Sequence, residues 1–341
     1  MISIIIINWN GEKFLQACLE SVSTQSYGPI EIVLVDNASK DNSLVNLPRE
    51  VVLIKNEVNK GFCAAANQGI KRSKGEFIVL LNHDVTLDKS FIKNIVETFL
   101  IAETVGMVSG KILRMDGKII DSAGQFMNCW AKPVERGYNQ PDHGQFEEKM
   151  ESFSVCGAVA CYRRKMLEDV KIPLNPPFTK GETENNSHFT KGEIQLGVGG
   201  FEYFDEDFFA FYEDLDLGWR ARLRGWKALY NPKAVAYHYR GGTQTKNHRF
   251  QILGRPKDIQ LKIIFNRYLT IIKNVSKIHF LLYFPFFFAR SIIDLFFIIF
   301  YIPDSPHIFN EIKLFKSAWE KRVIIQARRL TQDKVIRKFI S

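Results

Sequence analysis

Short apolar runs that end abruptly in polar residues are the feature that most constrains the fold of this chain. The run at 32–35 ends at Asp36, and the run at 77–81 ends at Asn82. Much later, an aromatic stretch at 208–212 leads into Glu213 and Asp214. Apolar runs of this length indicate buried parallel strands. Because ligands of open α/β sheets bind outside the carboxyl ends of such strands, polar residues at these ends predict a binding site.

The first hundred residues alternate between strand and helix patterns. We predict strands at 2–7, 31–36, 51–55 and 77–81, and helices at 13–24, 61–73 and 88–102. This alternation is typical of a doubly wound α/β sheet with mostly parallel strands and helices on its faces. The dinucleotide fingerprint G-x-G-x-x-G does not follow the first strand, where the chain reads Asn8-Trp9-Asn10-Gly11. A nicotinamide or flavin fold is therefore disfavoured.

Charge and composition divide the chain into two unequal parts. Residues 258–341 contain 14 Lys and Arg but 6 Asp and Glu, a net charge of +8, whereas residues 1–257 are nearly neutral. Within the first part, residues 173–202 repeat the pentapeptide Phe-Thr-Lys-Gly-Glu and lack apolar periodicity, so we interpret them as a flexible surface insertion. We predict an α/β domain over 1–257 and a basic, aromatic, helical region over 258–341.

The C-terminal region predicts contact with a membrane surface. Residues 280–302 are almost continuously apolar and long enough in principle to span a bilayer. Pro285, Arg290 and Asp294 interrupt this run, and charges at the centre of a span are costly. An interfacial hairpin followed by a basic amphipathic stretch over 312–339 fits better and favours peripheral binding. A true span, and packing of these phenylalanines on the domain, remain alternatives. Nucleic acid is disfavoured because its grooves do not need long apolar runs.

Cysteine usage and the first residues indicate the cytoplasm. The five cysteines form no C-x-x-C pair and are odd in number, which favours reduced thiols over disulfides or a zinc site. Residues 2–7 have no basic segment before them and no cleavage site after them, so they predict a first strand and not a signal peptide. We therefore expect a cytoplasmic protein at the inner face of the cell membrane.

Five motifs, in a fixed order over residues 1–245, carry a resemblance to a known family. They are Asn8-Trp9-Asn10-Gly11, Val35-Asp36-Asn37-Ala38-Ser39, Asn59-Lys60-Gly61-Phe62 with Asn67 and Gly69, Leu81-Asn82-His83-Asp84, and Phe204-Asp205-Glu206 followed by Tyr212-Glu213-Asp214-Leu215-Asp216. In this order they resemble the family 2 glycosyltransferases, in particular the rhamnosyltransferase-like branch that builds bacterial surface polysaccharides. The resemblance implies a GT-A fold and inverting transfer of a sugar, with rhamnose a candidate, from a UDP or dTDP donor to a lipid-linked or growing glycan.

The resemblance also implies which residues bind the donor. Asp36 would contact the base or ribose; taken alone it would more often be an Asx-turn residue that holds the loop, and the set of motifs reverses that preference. A helix that begins at Gly61 would favour the diphosphate at its N-terminus, with helix capping by Asn59 as the simpler alternative. The residues assigned to donor binding are Asn8, Asp36, Asn37, Lys60, Gly61, Asn67 and Asn82.

Asn82-His83-Asp84 stands where the family has an Asp-x-Asp signature, and this implies a metal site. A departing diphosphate develops negative charge, which a hard divalent cation on a carboxylate neutralises. Asp84 is the expected ligand of Mn²⁺ or Mg²⁺, with Asn82 a weaker neutral neighbour. His238 ends a later strand and by resemblance lies near the metal or diphosphate, although a lone histidine is usually structural.

Glu213 and Asp214 are the candidates for the general base. By resemblance Asp214 removes the proton from the acceptor hydroxyl, and Glu213 is the second candidate. The simpler interpretation, acids that offset the helix dipole, applies to Asp216, which we expect to pair with Arg220. Since Asn82 replaces an acid and residues 173–202 interrupt the motifs, a non-catalytic nucleotide-sugar-binding or scaffolding subunit of a membrane polysaccharide complex is the alternative function. The donor sugar, acceptor, linkage and oligomeric state stay open.

Overall fold

The computed structural model describes residues 1–174, 200–240, 255–302 and 308–340. Its strands are β1 (Ile2–Asn8), β2 (Ile30–Asp36), β3 (Val51–Lys55), β4 (Phe77–Asn82), β5 (Val85–Leu87), β6 (Val105–Arg114), β7 (Ile120–Ser122), β8 (Gln125–Met127), β9 (Pro133–Glu135), β10 (Met150–Ser152), β11 (Val159–Arg163), β12 (Ile172–Pro173), β13 (Phe201–Glu202) and β14 (Lys227–His238). Its helices are α1 (Leu15–Ser23), α2 (Gly61–Arg72), α3 (Phe91–Phe99), α4 (Arg164–Val170), α5 (Glu213–Leu223), α6 (Lys257–Asn274), α7 (Lys277–Tyr301), α8 (Ile308–Ala327) and α9 (Asp333–Arg337), with a 3₁₀ turn at Glu206–Phe208. The predicted strands and helices of the first hundred residues are confirmed to within a few residues at each end.

One large sheet forms the centre of the molecule, in the order β10-β14-β6-β11-β4-β1-β2-β3. The four strands β3, β2, β1 and β4 run parallel, and so do β6 and β14. Between these two groups β11 runs antiparallel to both neighbours. The predicted α/β class and mostly parallel sheet are confirmed. The later strand that ends at His238 is β14, with a register irregularity between Asn231 and Val235.

Alternating side chains of β1 fill two cores on opposite faces of the sheet. Ile5 packs in the core that contains Ala65 of α2, and Ile4 packs in the core that contains Leu15 of α1 and Phe91 of α3. All of these side chains are buried. The two faces covered by helices explain why the strands are apolar at nearly every position, and they leave the polar strand ends as the exposed edge.

The C-terminal helices lie against this domain, and the apolar run at 280–302 is not a hairpin. It belongs to the single helix α7, which continues through Pro285. Arg290 and Asp294 do not interrupt the helix because they pair with each other one turn apart, at 2.7 Å. Among the described residues, α7 is the helix long and apolar enough to cross a membrane by length and composition, and most of its apolar side chains are exposed.

Most of the predicted insertion at 173–202 lies outside the described residues. Its two ends are ordered, because Ile172 and Pro173 of β12 pair antiparallel with Phe201 and Glu202 of β13. Both ends of the segment are therefore fixed to the domain beside the motif that begins at Phe204.

Candidate active site

Polar side chains meet where the central parallel strands end. The register of the sheet pairs Asn8 with Asp36 and Ile7 with Asn82. The side-chain amide of Asn8 donates to the Asp36 carboxylate at 2.8 Å, and both residues are fully buried. Asp36 also accepts from the backbone N–H of Ser39 at 3.1 Å, so its carboxylate holds the loop that follows β2. Its role in base binding stays a prediction.

The amide of Asn37 organises the loop that leads into α2. Its oxygen accepts from the side chain of Asn56 at 3.1 Å and the N–H of Lys60 at 3.0 Å. Its nitrogen donates to Gly61 O and to Oδ1 of Asn59, both at 3.0 Å. The Lys60 side chain is exposed. The Asn37 amide thus has no hydrogen bond left to offer a nucleotide sugar. Its part in binding that substrate would be to shape the loop.

The start of α2 is occupied by the protein itself. The N–H of Gly61 donates to the side chain of Asn59 at 2.9 Å, and the N–H of Cys63 donates to Phe209 O at 3.1 Å. Gly61 has a φ of 84°, and a β-carbon there would lie 2.5 Å from the Phe209 ring. The capping interpretation of Asn59 therefore describes this helix end, and these two donors do not face a diphosphate.

Asn67 fastens α2 to the segment that precedes the acidic pair. Its oxygen accepts from the N–H groups of Tyr203 and Phe204, at 3.1 and 2.9 Å, and its nitrogen donates to Phe204 O and to Glu206 at 2.8 and 3.0 Å. These bonds use the whole amide, which is buried. Asn67 positions the segment at 203–206 and leaves nothing with which to bind a donor directly.

His238 lies between two carboxylates at the end of β14. Its Nδ1 is 2.8 Å from Oδ2 of Asp121, and its Nε2 is 3.4 Å from Oδ1 of Asp84. Burial lowers the pKa of His238, but hydrogen bonds to Asp121 and Asp84 outweigh burial and raise the pKa to about 9. Arg240 forms a second ion pair with Asp121. Asp121, on the short strand β7, is a site residue that the sequence analysis missed.

Asp84 and His238 can hold a divalent cation when the cation displaces the proton on Nε2 of His238, because histidine binds metals through its neutral ring. A carboxylate on one ring nitrogen of a histidine orients the other nitrogen for a metal, and Asp121 holds His238 in this way. Within 1–174, 200–240, 255–302 and 308–340, no group of three or more His, Cys, Asp or Glu side chains is placed to bind a metal. A cation here would therefore have two protein ligands and take further oxygens from a diphosphate.

The Asp214 carboxylate is held by donors from two neighbouring segments. Its Oδ2 accepts from the side chain of Gln125 at 2.8 Å and from the N–H of Gly157 at 3.0 Å. Gln125 donates from the same nitrogen to Glu135 at 2.8 Å, so one amide bridges two carboxyl groups. Burial, and then the charge of Asp214, raise the pKa of Glu135 to about 7. Gln125 and Glu135, on β8 and β9, were also missed in the sequence analysis.

Glu213 and Asp214 differ in exposure. Burial and the charge of Asp214 raise the pKa of Glu213 to about 8, and one oxygen of this buried carboxyl has no hydrogen-bond partner. Asp214 is partly exposed; burial raises its pKa as well, against the hydrogen bonds from Gln125 and Gly157. At neutral pH Glu213 is therefore mostly protonated, and Asp214 is the carboxyl that an acceptor can reach.

The 156–158 segment joins the two halves of the site. The N–H of Asn82 donates to Ala158 O at 3.1 Å, while the N–H of Gly157 donates to Asp214. Gly11 closes the other side: a β-carbon there would lie 2.2 Å from Oδ1 of Asn8 and 2.8 Å from the His83 ring. A continuous series of contacts thus runs along one sheet edge from Asp36, past the Asn82-His83-Asp84 corner, to Asp214.

The backbone before the acidic pair is strained and clamped. Phe209, Phe211 and Tyr212 have φ values of 61°, 73° and 70°, which are unfavourable for residues other than glycine. The side-chain nitrogen of Asn266, on α6, lies 3.0 Å from Phe208 O and 2.9 Å from Phe211 O. The C-terminal region thus holds the loop that aims Glu213 and Asp214.

Replacing Glu213 by glutamine is expected to stabilise the fold increasingly as the pH rises. The folded-state pKa of Glu213, about 8, lies above the ordinary 4.5. Below pH 4.5 the carboxyl is protonated in both states; between 4.5 and 8 it ionises in the unfolded chain first, and stability is lost. Urea unfolding at pH 5 and pH 8 checks this, with Glu97→Gln on an exposed face of α3 as the matched control. An equal offset at both pH values would contradict the buried, neutral carboxyl.

Comparisons with known proteins agree with this architecture. Residues 3–171 match the family model described as Glycosyl transferase family 2. An uncharacterized glycosyltransferase of Nostoc is 32% identical over 202 residues, 51% of this chain and 54% of that protein. The N-acetylglucosaminyl-diphospho-decaprenol L-rhamnosyltransferase of Mycobacterium tuberculosis is 24% identical over 254 residues, 70% of this chain and 76% of that protein. The crystal structure of GalNAc-T7 with UDP, GalNAc and Mn²⁺ has a TM-score of 0.61 at 14% identity and covers 99% of this chain and 56% of that one.

The sheet, its helical layers and the polar strand ends define a GT-A-type α/β fold. Residues 3–171 of the chain form a domain of glycosyltransferase family 2. It spans about half the length of the Nostoc relative.

Proposed function

We propose that this chain transfers a sugar from a nucleoside diphosphate to a hydroxyl of a lipid-linked or growing glycan, with inversion at the anomeric carbon. The observation that carries the proposal is the single polar edge on which Asp36, Asp84 and Asp214 are connected. The GalNAc-T7 structure, determined with UDP and Mn²⁺, supports a UDP or dTDP donor and a divalent cation, Mn²⁺ or Mg²⁺. The name of the mycobacterial relative supports a lipid-diphosphate acceptor and makes rhamnose a candidate sugar.

The reaction is a single displacement. Asp214 takes the proton from the acceptor hydroxyl, and the acceptor oxygen forms a bond to the anomeric carbon. The bond between that carbon and the diphosphate breaks, and its electron pair leaves with the diphosphate. Protonated Glu213 keeps the local charge low, so that Asp214 is the one base of the pair. When bound at Asp84 and His238, a divalent cation neutralises charge on the diphosphate.

The exposed surface of α7 supports membrane association as part of this proposal. Its exposed side chains include Leu281, Phe288 and Phe300, and residues 258–341 carry a net charge of +8. Exposed apolar surface beside basic residues favours an anionic membrane interface. We place the protein at the inner face of the cell membrane, where a lipid-linked acceptor is present, with residues 1–257 as the catalytic domain and 258–341 as the membrane-binding region.

Transfer is tested with labelled nucleotide sugars. Full-length protein incubated with UDP- and dTDP-sugars, Mn²⁺ and a membrane lipid extract is expected to give a labelled, lipid-extractable product. Such a product excludes the scaffolding alternative. Binding of a nucleotide sugar without any product across the donor panel would support that alternative and contradict our proposal.

Replacing Asp84 by alanine is expected to remove metal-dependent stabilisation. A ligand that binds the folded state at about 100 times its Kd stabilises by about 2.7 kcal/mol. We expect Mn²⁺ with UDP to raise the melting temperature of the wild type and of the exposed-face control Glu97→Ala, but not of Asp84→Ala. An unchanged metal response in Asp84→Ala would show that the cation binds elsewhere.

A further inference from the structure

Three cationic side chains lie near one another where the β8–β9 hairpin approaches α6 and α7. They are Lys132, at the tip of the hairpin, Arg267 on α6 and Arg290 on α7; we call them the basic cluster. Asp294 pairs with Arg290 at 2.7 Å and also with Arg267. Within the described part of the chain no acidic side chain pairs with Lys132. The cluster thus has three positive charges against one carboxylate, which is a net excess of cations.

Exposure separates the members that can bind a ligand from the one that cannot. Lys132 is exposed, and the Arg290 side chain keeps 26% of its surface accessible. Arg267 is buried against Asp294. Although the residue is exposed overall, desolvation of its ammonium group is the first cause that lowers the pKa of Lys132, and the nearby charges of Arg290 and Arg267 lower it further. An anion between Lys132 and Arg290 would relieve this repulsion.

The basic cluster shares the β8–β9 hairpin with a residue that contacts the candidate base. The hairpin that carries Lys132 at its tip binds Asp214 through Gln125 near its base. Along the hairpin, Lys132 and Gln125 are three residues of strand apart, which corresponds to about 10 Å. On the opposite side, the guanidinium of Arg290 lies 5.8 Å from the ring of Trp130 at the same tip. A sugar ring and the phosphate attached to it can bridge a span of this length.

The basic cluster also adjoins the surface that we assign to the membrane. His279, Phe287 and Asp294 form the buried stripe of α7, while Phe288, Ile292 and Leu295 are more than half exposed. Arg290 is on the inner side of this helix, close to where it meets the domain. Trp130 is 36% exposed beside it, and tryptophan favours the level of the lipid headgroups. The cluster would therefore be at headgroup depth.

We propose that Lys132 and Arg290 bind the phosphate group of a lipid-diphosphate acceptor and so place the hydroxyl of its sugar at Asp214. The assignment rests on the proposed function and identifies its acceptor class. Arg290 supplies a guanidinium suited to phosphate oxygens, and Lys132 adds a mobile point charge. The donor diphosphate is assigned to the separate corner at Asp84 and His238, so the two phosphates do not compete.

The test is vesicle binding, which does not depend on catalysis. Full-length protein is titrated with phosphatidylcholine vesicles that contain a polyprenyl diphosphate, and with vesicles matched in total charge by phosphatidylglycerol. We expect the wild type to prefer the first vesicles. Lys132→Ala should weaken this preference roughly tenfold, the loss of one hydrogen bond to a charged group, and leave phosphatidylglycerol binding unchanged. The matched control is Lys313→Ala, which removes an exposed charge from α8 and should keep the preference.

Three results would overturn the proposal. They are equal binding of the wild type to both kinds of vesicle, an unchanged preference in Lys132→Ala, and an equal loss of preference in Lys313→Ala. Inorganic pyrophosphate in solution is the second arm: if it binds as tightly as the vesicles and with the same dependence on Lys132, the site recognises a free anion and not a lipid. A preference that depends on Lys132 in a protein without transferase activity would uphold the acceptor site and contradict only the proposed function.

Discussion

Replacing Asp214 by asparagine is expected to lower kcat for sugar transfer by roughly 10²–10⁴-fold, the usual contribution of a general base. Asparagine keeps the shape of the side chain but cannot accept the proton of the acceptor hydroxyl. The polar groups assigned to the donor, at Asp36 and Asp84, are on other strand ends and are unchanged. The measurement is steady-state transfer at saturating donor and acceptor, together with donor affinity, which should stay within a few-fold of the wild type.

Glu213→Gln is the matched control for this prediction. Because the buried Glu213 carboxyl has its pKa raised to about 8 and is mostly neutral at pH 7, an uncharged amide should replace it with only a small loss of rate. If Glu213→Gln instead abolishes transfer while Asp214→Asn remains active, the two roles are exchanged. If both variants retain wild-type turnover, neither residue is the base.

The local parts of the architecture could be predicted from sequence. The strands that end at Asp36 and Asn82 carry continuous apolar runs before their polar ends, because helices cover both faces of the sheet. Both the position and the end of each strand are therefore visible in the pattern. The Asp216–Arg220 pair, one helical turn apart, is likewise confirmed at 3.0 Å. These features depend on residues close together in the chain.

The partners of the predicted site residues could not be predicted in the same way. Asp121 meets His238 across 117 positions, and Gln125 meets Asp214 across 89. Both Asp121 and Gln125 are on three-residue strands in an irregular region, where periodicity carries little information. A buried acid and a buried amide in such short strands are a signal only once the fold brings them to the sheet edge.

The hairpin expected at 280–302 was wrong for a related reason. Proline and two charges inside an apolar run are evidence against a continuous span only if the charges lack partners. Arg290 and Asp294 satisfy each other, and Asp294 also accepts from the hydroxyl of Tyr268 at 2.8 Å. The sequence shows the charges but not the side chain on α6 that meets them.

Replacing Lys321 by alanine is expected to lower the free energy of unfolding by about 3–5 kcal/mol, the usual effect of removing one partner from a buried ion pair. Lys321, on α8, is 1% exposed, and its Nζ lies 2.8 Å from Glu202, 2.6 Å from Asp205 and 2.9 Å from Asp207. Lys273 pairs with Asp205 from α6. Urea unfolding at pH 7 measures the effect.

The size of this effect follows from the charge balance among the lysines, arginine and acids around Lys321. Burial and the charge of Asp205 raise the pKa of Glu202 to about 8, so Glu202 is mostly neutral at pH 7. Three cations then face three aspartates. They are Lys273, Lys321 and Arg220 on one side and Asp205, Asp207 and Asp216 on the other. Alanine at 321 leaves three aspartates against two cations, which is one negative charge in excess around a largely buried site.

Lys316→Ala is the matched control, because this lysine is on the same helix, is 84% exposed and meets Glu320 only at 3.9 Å. Its free energy of unfolding should change by less than about 0.5 kcal/mol. Lys273 of α6 and Lys321 of α8 both pair with Asp205, in the segment before the acidic pair. Lys321→Ala should therefore loosen the Asn266 contacts to the strained loop. We therefore expect slower transfer as well as lower stability. An equally small change in both variants would mean that the C-terminal helices do not support the site.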